Sequence, residues 1–366
     1  MFSLFLYLNI FGDSAFCKYY AGSVPNNVRP FYIFRLLVPE SFMIRTVYLA
    51  LLLLTGIGVC SSALAQQDPQ FSLYMFNPVY FNPAAVGSEG VTRFQLTHRT
   101  QYAGYQGSFD DGGAPSTQLF SFNMPLTAIR GGIGLYAFND RLGPAINQAV
   151  NIAYAFRLPI KTGTLALGVE GGLYNRGINY DILRPGEPDP ILPTGRVNSM
   201  QPDVSLGAQY STSTFNLGAS LKHLTRPSFG IGTNDRNVAP LSQAVYINAG
   251  YRYEWNYTID IMPSILYKYQ IDPDPSFPAS SFEVSLLAMY DKRYWAGFSY
   301  RQSDAIMATI GLSLMRNNAL RFGYAFDFVT GNQVKSIASH EVLLSYSLPA
   351  PGTGRKPIVR TPRFRY

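Results

Sequence analysis

The chain has 366 residues, with 29 Lys and Arg against 22 Asp and Glu, three His and two Cys. Charged residues make up only 14% of it, where soluble domains hold about 25%, and a hydrophobic content of 47% excludes disorder. A mean hydropathy of +0.02 excludes a polytopic helical membrane protein, and two cysteines exclude a disulfide framework or a Cys-rich metal site.

The net charge of +7 sits at the two ends. Lys18, Arg29, Arg35 and Arg45 oppose only Asp13 and Glu40 before residue 66, and five basic residues without an acid follow Leu348. The body between them is neutral, which argues against a nucleic-acid surface. Residues 1–42 carry prolines and aromatics without a usable period, and read as an extension from a mis-assigned start, with Met43 the initiator. Met43-Ile44-Arg45, the apolar run Val47–Val59 and Ala63-Leu64-Ala65 have the order of a secretory signal over 43–65. The apolar run is short of the roughly 20 residues a spanning helix needs. Lipidation at Cys60 is disfavoured, because Val59 stands where a small residue should precede it.

The next segment, 66–90, contains Phe71, Tyr74 and Phe76, then two Asn-Pro steps, Asn77-Pro78 and Asn82-Pro83. Two such steps forbid a regular helix or a central strand. Ahead of a barrel, this neutral aromatic stretch is expected to plug or brace the periplasmic mouth.

From residue 91 to 348 the chain alternates with period two. In 147–158, Val150, Ile152, Tyr154 and Phe156 share one face, and Ala149, Asn151, Ala153 and Ala155 the other. Such alternation means strands. Fourteen are expected, near 91–101, 116–123, 131–138, 147–158, 163–173, 201–210, 214–222, 241–254, 257–269, 281–290, 294–301, 305–315, 320–329 and 338–348. Aromatics end the apolar faces, as at Tyr257, Tyr290, Tyr294 and Tyr300, while charges such as Glu170, Lys222, Glu283, Arg301 and Glu341 take the other face. A charge facing lipid costs about 2–4 kcal/mol at the midplane, so these faces fit an all-β transmembrane barrel with a polar lumen. Long links (102–115, 174–200, 223–240, 270–280, 330–337) mostly alternate with short ones, the pattern of extracellular loops and periplasmic turns. The even count places both termini in the periplasm, and 174–200 is expected to be the largest extracellular loop and a client contact.

Chemistry is thin. His98, His223 and His340 have no acidic or thiol partner at ligand spacing and read as solvated or lumenal. Asp272-Pro273-Asp274-Pro275 reads as a rigid loop tip. The glycines Gly131, Gly132, Gly134, Gly168, Gly171 and Gly172 read as strand residues facing a crowded lumen, since no helix follows to make a phosphate loop. The expectation is a protein that is not an enzyme and uses no cofactor or metal. Pro349 and Pro351 end the last strand, and the tail 349–366 offers Arg355, Lys356, Arg360, Arg363, Phe364, Arg365 and Tyr366 as a periplasmic partner-binding surface, aromatics buried and charges at the rim.

Gln67–Pro78 and Asn82–Ser88 together resemble the opening of the PorP/SprF family of outer-membrane proteins of the type IX secretion system. A second resemblance falls at Arg99, Gln101 and Tyr102, and at Pro115, Thr117 and Gln118, where the family carries an R-x-Q-aromatic step and a G-A-P-x-T-Q step. Tyr102 stands where Trp is common. The basic, Pro-containing tail is similar too, so the resemblance runs from about residue 66 to the end. It implies an outer-membrane barrel that supports secretion or surface attachment of client proteins, including gliding adhesins, with periplasmic lipoproteins of the machinery as partners. A fatty-acid-channel-type transporter of hydrophobic molecules is the alternative, since Asn82-Pro83-Ala84 resembles that family's early step. Such channels need a hatch of some forty residues, and only about 25 lie between Gln66 and the first strand.

Overall fold

The computed structural model describes residues 68–105, 113–183, 194–230, 237–238, 240–271, 280–315, 318–330 and 338–349. Within them the alternating segments form strands β1 (Val91–Thr100), β2 (Ser116–Leu126), β3 (Gly131–Leu142), β4 (Ala145–Ile160), β5 (Gly163–Asn179), β6 (Arg196–Ser211) and β7 (Phe215–Lys222). They continue as β8 (Ala244–Tyr251, prolonged by Tyr253–Glu254), β9 (Ile259–Gln270), β10 (Ser280–Tyr290), β11 (Tyr294–Arg301), β12 (Ala305–Leu314), β13 (Leu320–Val329) and β14 (Ala338–Pro349). Each strand pairs antiparallel with its sequence neighbours, and β1 pairs with β14. The sheet therefore closes into a 14-strand antiparallel barrel with no free edge.

The faces divide as the alternation predicts. Val150, Ile152 and Phe156 are exposed on the outer wall, whereas Ala149, Asn151 and Ala153 are buried inside. Glu170, Lys222, Glu283, Arg301, Asp327 and Glu341 all point into the lumen. Gly131 and Gly171 depart from the expectation: both lie on the outer face, Gly131 beneath the Tyr154 ring and Gly171 with open space around it. His98 and His340 also face outward, while His223 faces in.

Two connections differ from the sequence reading. Strands β5 and β6 run to Asn179 and from Arg196, so the expected 174–200 loop shrinks to 180–195 and is shorter than the 223–243 link between β7 and β8. The extra strand length puts Asn175, Gly177 and Asn198 on the outer face, while Tyr174, Ile178 and Val197 turn inward, so the outward apolar rhythm stops before the ladder does. At the same end, Gly143-Pro144 alone joins β3 to β4, with Gly143 in the left-handed region at φ +59°. Residues 184–193, Asp272–Asp274, the signal segment and the tail beyond Pro349 lie outside the described residues.

The segment ahead of β1 is not at one mouth of the barrel but inside it. Residues 68–90 run the length of the lumen, from the long-loop end, where Asp68 meets His223 and Tyr246, to the tight-turn end, where Gly87 meets Asn123. Asp68 and Pro349, the first and last residues described, lie at opposite ends of the barrel. Three short turns build the segment: a 3-10 turn at Tyr74–Phe76, one α-turn at Pro78–Phe81 and a 3-10 turn at Pro83–Ala85. Each Asn-Pro step starts a turn, since proline's fixed φ suits the first helical position.

Candidate functional site

The filled lumen is where the distinctive residues meet. Its long-loop half holds two buried ion clusters, each clasping the backbone or side chains of residues 68–73.

In the first, Arg99 on β1 is 2% exposed and bridges Asp327 on β13, Nη2 to Oδ2 at 2.7 Å, and Glu341 on β14, Nη1 to Oε2 at 3.2 Å. Ser72 sits among them: Arg99 donates to its hydroxyl, which donates to Asp327 at 2.7 Å. The amides of Ser72 and Leu73 donate to Glu341 at 2.6 and 3.1 Å. Beside this cluster Arg301 pairs with Glu283 and Asp304, each at 2.9 Å, and donates to the Phe71 carbonyl at 3.1 Å. Charges this deep persist only when paired and hydrogen-bonded.

In the second, Asp68 accepts from His223 Nε2 at 3.0 Å and from the Tyr246 hydroxyl at 2.9 Å, with Lys268 3.9 Å away. His223 Nδ1 faces Asp203 at 2.6 Å. Below it, Lys222 donates to the Tyr80 carbonyl and to the Tyr136 hydroxyl, both at 3.0 Å, and Tyr136 donates to Glu170 at 2.7 Å. Burial opposes charge on both Asp68 and His223. Their mutual attraction outweighs it, holding the Asp68 carboxyl well below the usual range and raising His223, one residue beyond β7, to about 9.

A histidine raised from 6.5 to about 9 contributes fully below pH 6.5 and loses that contribution as pH rises through 9. The loss amounts to about 3 kcal/mol. The heat resistance of the barrel in detergent should therefore fall between pH 6.5 and 9.5. A His223→Gln variant should start lower and show a flat profile over that range, read by the temperature at which the compact gel band disappears.

The middle of the lumen is aromatic. Tyr80 meets Phe71 edge to face at a centroid distance of 5.2 Å and Tyr136 at 5.4 Å, and Phe76 lies 4.6 Å from Trp295. Tyr74 shares a hydrogen bond of 2.9 Å with Ser264. Asn77 accepts from Gln95 of β1 and donates to Thr97 at 3.4 Å. Toward the tight turns, Asn82 accepts from the Ala84 amide at 2.9 Å and donates to the Ala208 carbonyl at 3.1 Å. Pro78 and Pro83 open the turns that aim these two asparagines. Glycines let the wall approach: a Cβ on Gly132 would lie 2.6 Å from the Val86 carbonyl oxygen, and one on Gly168 would strike the backbone of Pro83 and Ala84.

The second motif divides by face. Arg99 points inward, and Thr117 donates to Asp140 at 2.6 Å inside the lumen. Gln118 points outward. Gln101 and Tyr102 close the rim: the Gln101 amide donates to the Pro115 carbonyl at 2.8 Å, and the Tyr102 amide, at φ +50°, donates to Ser339 at 3.0 Å. The tail residues Arg355, Lys356, Arg360, Arg363, Phe364, Arg365 and Tyr366 lie outside the described residues. Sequence reading missed Asp68 and Ser72 as ion-cluster members, and found no acidic partner for His223. Those partners are separated from it by 20 and 155 positions, beyond any local spacing.

The model of a protein family described as "Type IX secretion system membrane protein PorP/SprF" matches residues 63–346. No curated protein matches the chain. Among solved structures, it is similar to the toluene transporter TodX of Pseudomonas putida, at 13% identity and a TM-score of 0.45, covering 79% of this chain and 95% of that one. A FadL homologue of Pseudomonas aeruginosa matches at 13% identity and a TM-score of 0.39, covering 73% and 91%. The translocator domain of the autotransporter NalP from Neisseria meningitidis matches at 10% identity and a TM-score of 0.40, covering 75% and 95%.

Proposed function

Because the chain belongs to the PorP/SprF family of type IX secretion system membrane proteins, we propose that it serves that system as a non-enzymatic anchor in the outer membrane. On this reading it holds a secreted or surface client on its long-loop side and docks periplasmic lipoproteins of the machinery through its basic tail. The observation that carries the proposal is the filled lumen. Residues 68–90 are tied to the wall by ion clusters at one end and by glycine-lined contacts at the other. A barrel stoppered by its own buried charges is suited to holding partners at its two faces rather than to passing a polypeptide or a hydrophobic molecule. No nucleic-acid partner is invoked, since the body of the chain is neutral.

The test is deletion of the gene followed by comparison of the secreted, surface and periplasmic proteomes. An anchor loses one or a few clients from the surface while hydrophobic-substrate uptake stays normal. If uptake fails and the surface proteome is intact, the transporter alternative stands instead. A stop codon after Pro351 should separate the roles: the barrel remains in the membrane, but the lipoproteins no longer co-purify at low salt.

A further inference from the structure

The outer wall carries a polar feature that the anchor role does not use. Strands β1 to β5 present a continuous row of hydrogen-bonded side chains toward the membrane: His98, Gln118, Asn139, Gln148 and Asn175, each directly opposite the next across the sheet. Gln118 Nε2 lies 3.3 Å from His98 Nδ1, Asn139 donates to Gln118 at 2.7 Å, Gln148 to Asn139 at 2.8 Å and Asn175 to Gln148 at 3.1 Å. All five lie within about five residues of the long-loop ends of their strands, where the apolar band gives way. On the far wall the equivalent positions are apolar or aromatic, as at Phe298, Ile306 and Phe328. A uniform lipid boundary would not put amides on one side only.

Each of the three central amides spends one N–H and one lone pair within the row, leaving one donor and one acceptor that the row does not use. Hydrocarbon cannot satisfy them. Directly against the row is a concavity of about 450 Å³ whose apolar wall is Leu96, Phe120, Ala137, Val342 and Leu344. The small Ala137, between Phe120 and Val150 on the neighbouring strands, makes the dip. Two positions above Asn139 on the same face, about 7 Å along the strand, Arg141 is exposed and forms no ion pair among the described residues. The described outward positions of β1 to β5 hold no acid.

We propose that this wall binds an acylated, phosphorylated sugar lipid of the outer leaflet. An acyl chain lies in the slot over Ala137, sugar or amide-linked groups bond the spare donors and acceptors of Gln118, Asn139 and Gln148, and a phosphate meets Arg141. Slot, amide row and cation follow one another up a single face, in the order in which such a lipid presents chain, sugar and charge.

The test uses the full-length barrel in mild detergent, incubated with purified bis-phosphorylated lipid A or with phosphatidylglycerol and read by native mass spectrometry. Wild type should retain lipid A preferentially. Arg141→Ala combined with Gln118→Leu should cut retention about tenfold, the loss of roughly one charge-assisted hydrogen bond. Ala137→Phe fills the slot and leaves every polar group in place, so it should do the same, while Ala308→Phe on the far wall should not. A compact gel band certifies each variant as folded. Equal retention of both lipids, or unchanged retention in the two near-wall variants, would mean ordinary boundary lipid over a water-solvated amide row and would overturn the proposal.

Discussion

Replacing Arg99 by Met is expected to loosen the lumen more than any other single change. It leaves Asp327 and Glu341, both fully buried, facing each other with Ser72 as their only shared neutral partner. Breaking a buried ion pair from one side costs about 3–5 kcal/mol, mostly because the remaining charge is stranded. In detergent the compact band should unfold well below the wild-type temperature. Combining Arg99→Met with Asp327→Asn and Glu341→Gln removes the stranded charges and should recover much of the loss. If the single variant matches wild type, the cluster does not hold the segment in the lumen.

Excising residues 68–88 from the mature chain is the second large effect. Wild type should be electrically silent in a planar bilayer, because Phe71, Tyr80 and Phe81 are buried across the lumen and ion-paired side chains surround them. Without that segment a 14-strand wall encloses space that its own side chains do not fill, and stepwise conductance should appear. Gly168→Leu gives an independent readout without shortening the chain. The new side chain would collide with the backbone of Pro83 and Ala84, so the lower part of the segment must leave the wall and the channel should flicker. Silence from both variants would show that the wall collapses onto its lumen, or that the segment is not its stopper.

The wall was legible in the sequence because membrane and lumen impose opposite chemistry on successive residues. Leu320–Val329 shows this plainly: Phe322, Phe326 and Phe328 face out, and Ala325 and Asp327 are fully buried. Where that opposition ends, so did the reading. Beyond Leu173, strand β5 continues with Tyr174, Asn175 and Arg176, which carry no apolar rhythm, so the sequence there reads as a loop although the ladder goes on. The opening motif announced a packed segment through its aromatics and Asn-Pro steps. Its depth could not be read, since what fixes Ser72 is a carboxylate 269 positions away. Glycine carried a partial signal: Gly132, Gly134 and Gly168 marked a crowded interior, although Gly171 in the same run faces out.

The separation between Ser72 and Glu341 also bears on how the molecule is made. Glu341 lies on β14, directly opposite Arg99 of β1, at the seam where the sheet closes. Arg301, Asp327 and Glu341, which hold residues 71–73, lie on β11, β13 and β14, and Arg99 of β1 completes the set only when the first and last strands meet. A segment clasped at both ends of the lumen is expected to lie along the open sheet before the seam zips. In the full-length chain, closure of the wall and seating of the stopper are then expected late, with the long loop-closure cost that such distant partners imply. A chain caught before that event would present Arg99, Asp327 and Glu341 as bare charges at an open edge. Arg99 and Glu341 thus serve two closures at once, pairing across the seam of the sheet and fastening the leading segment within it.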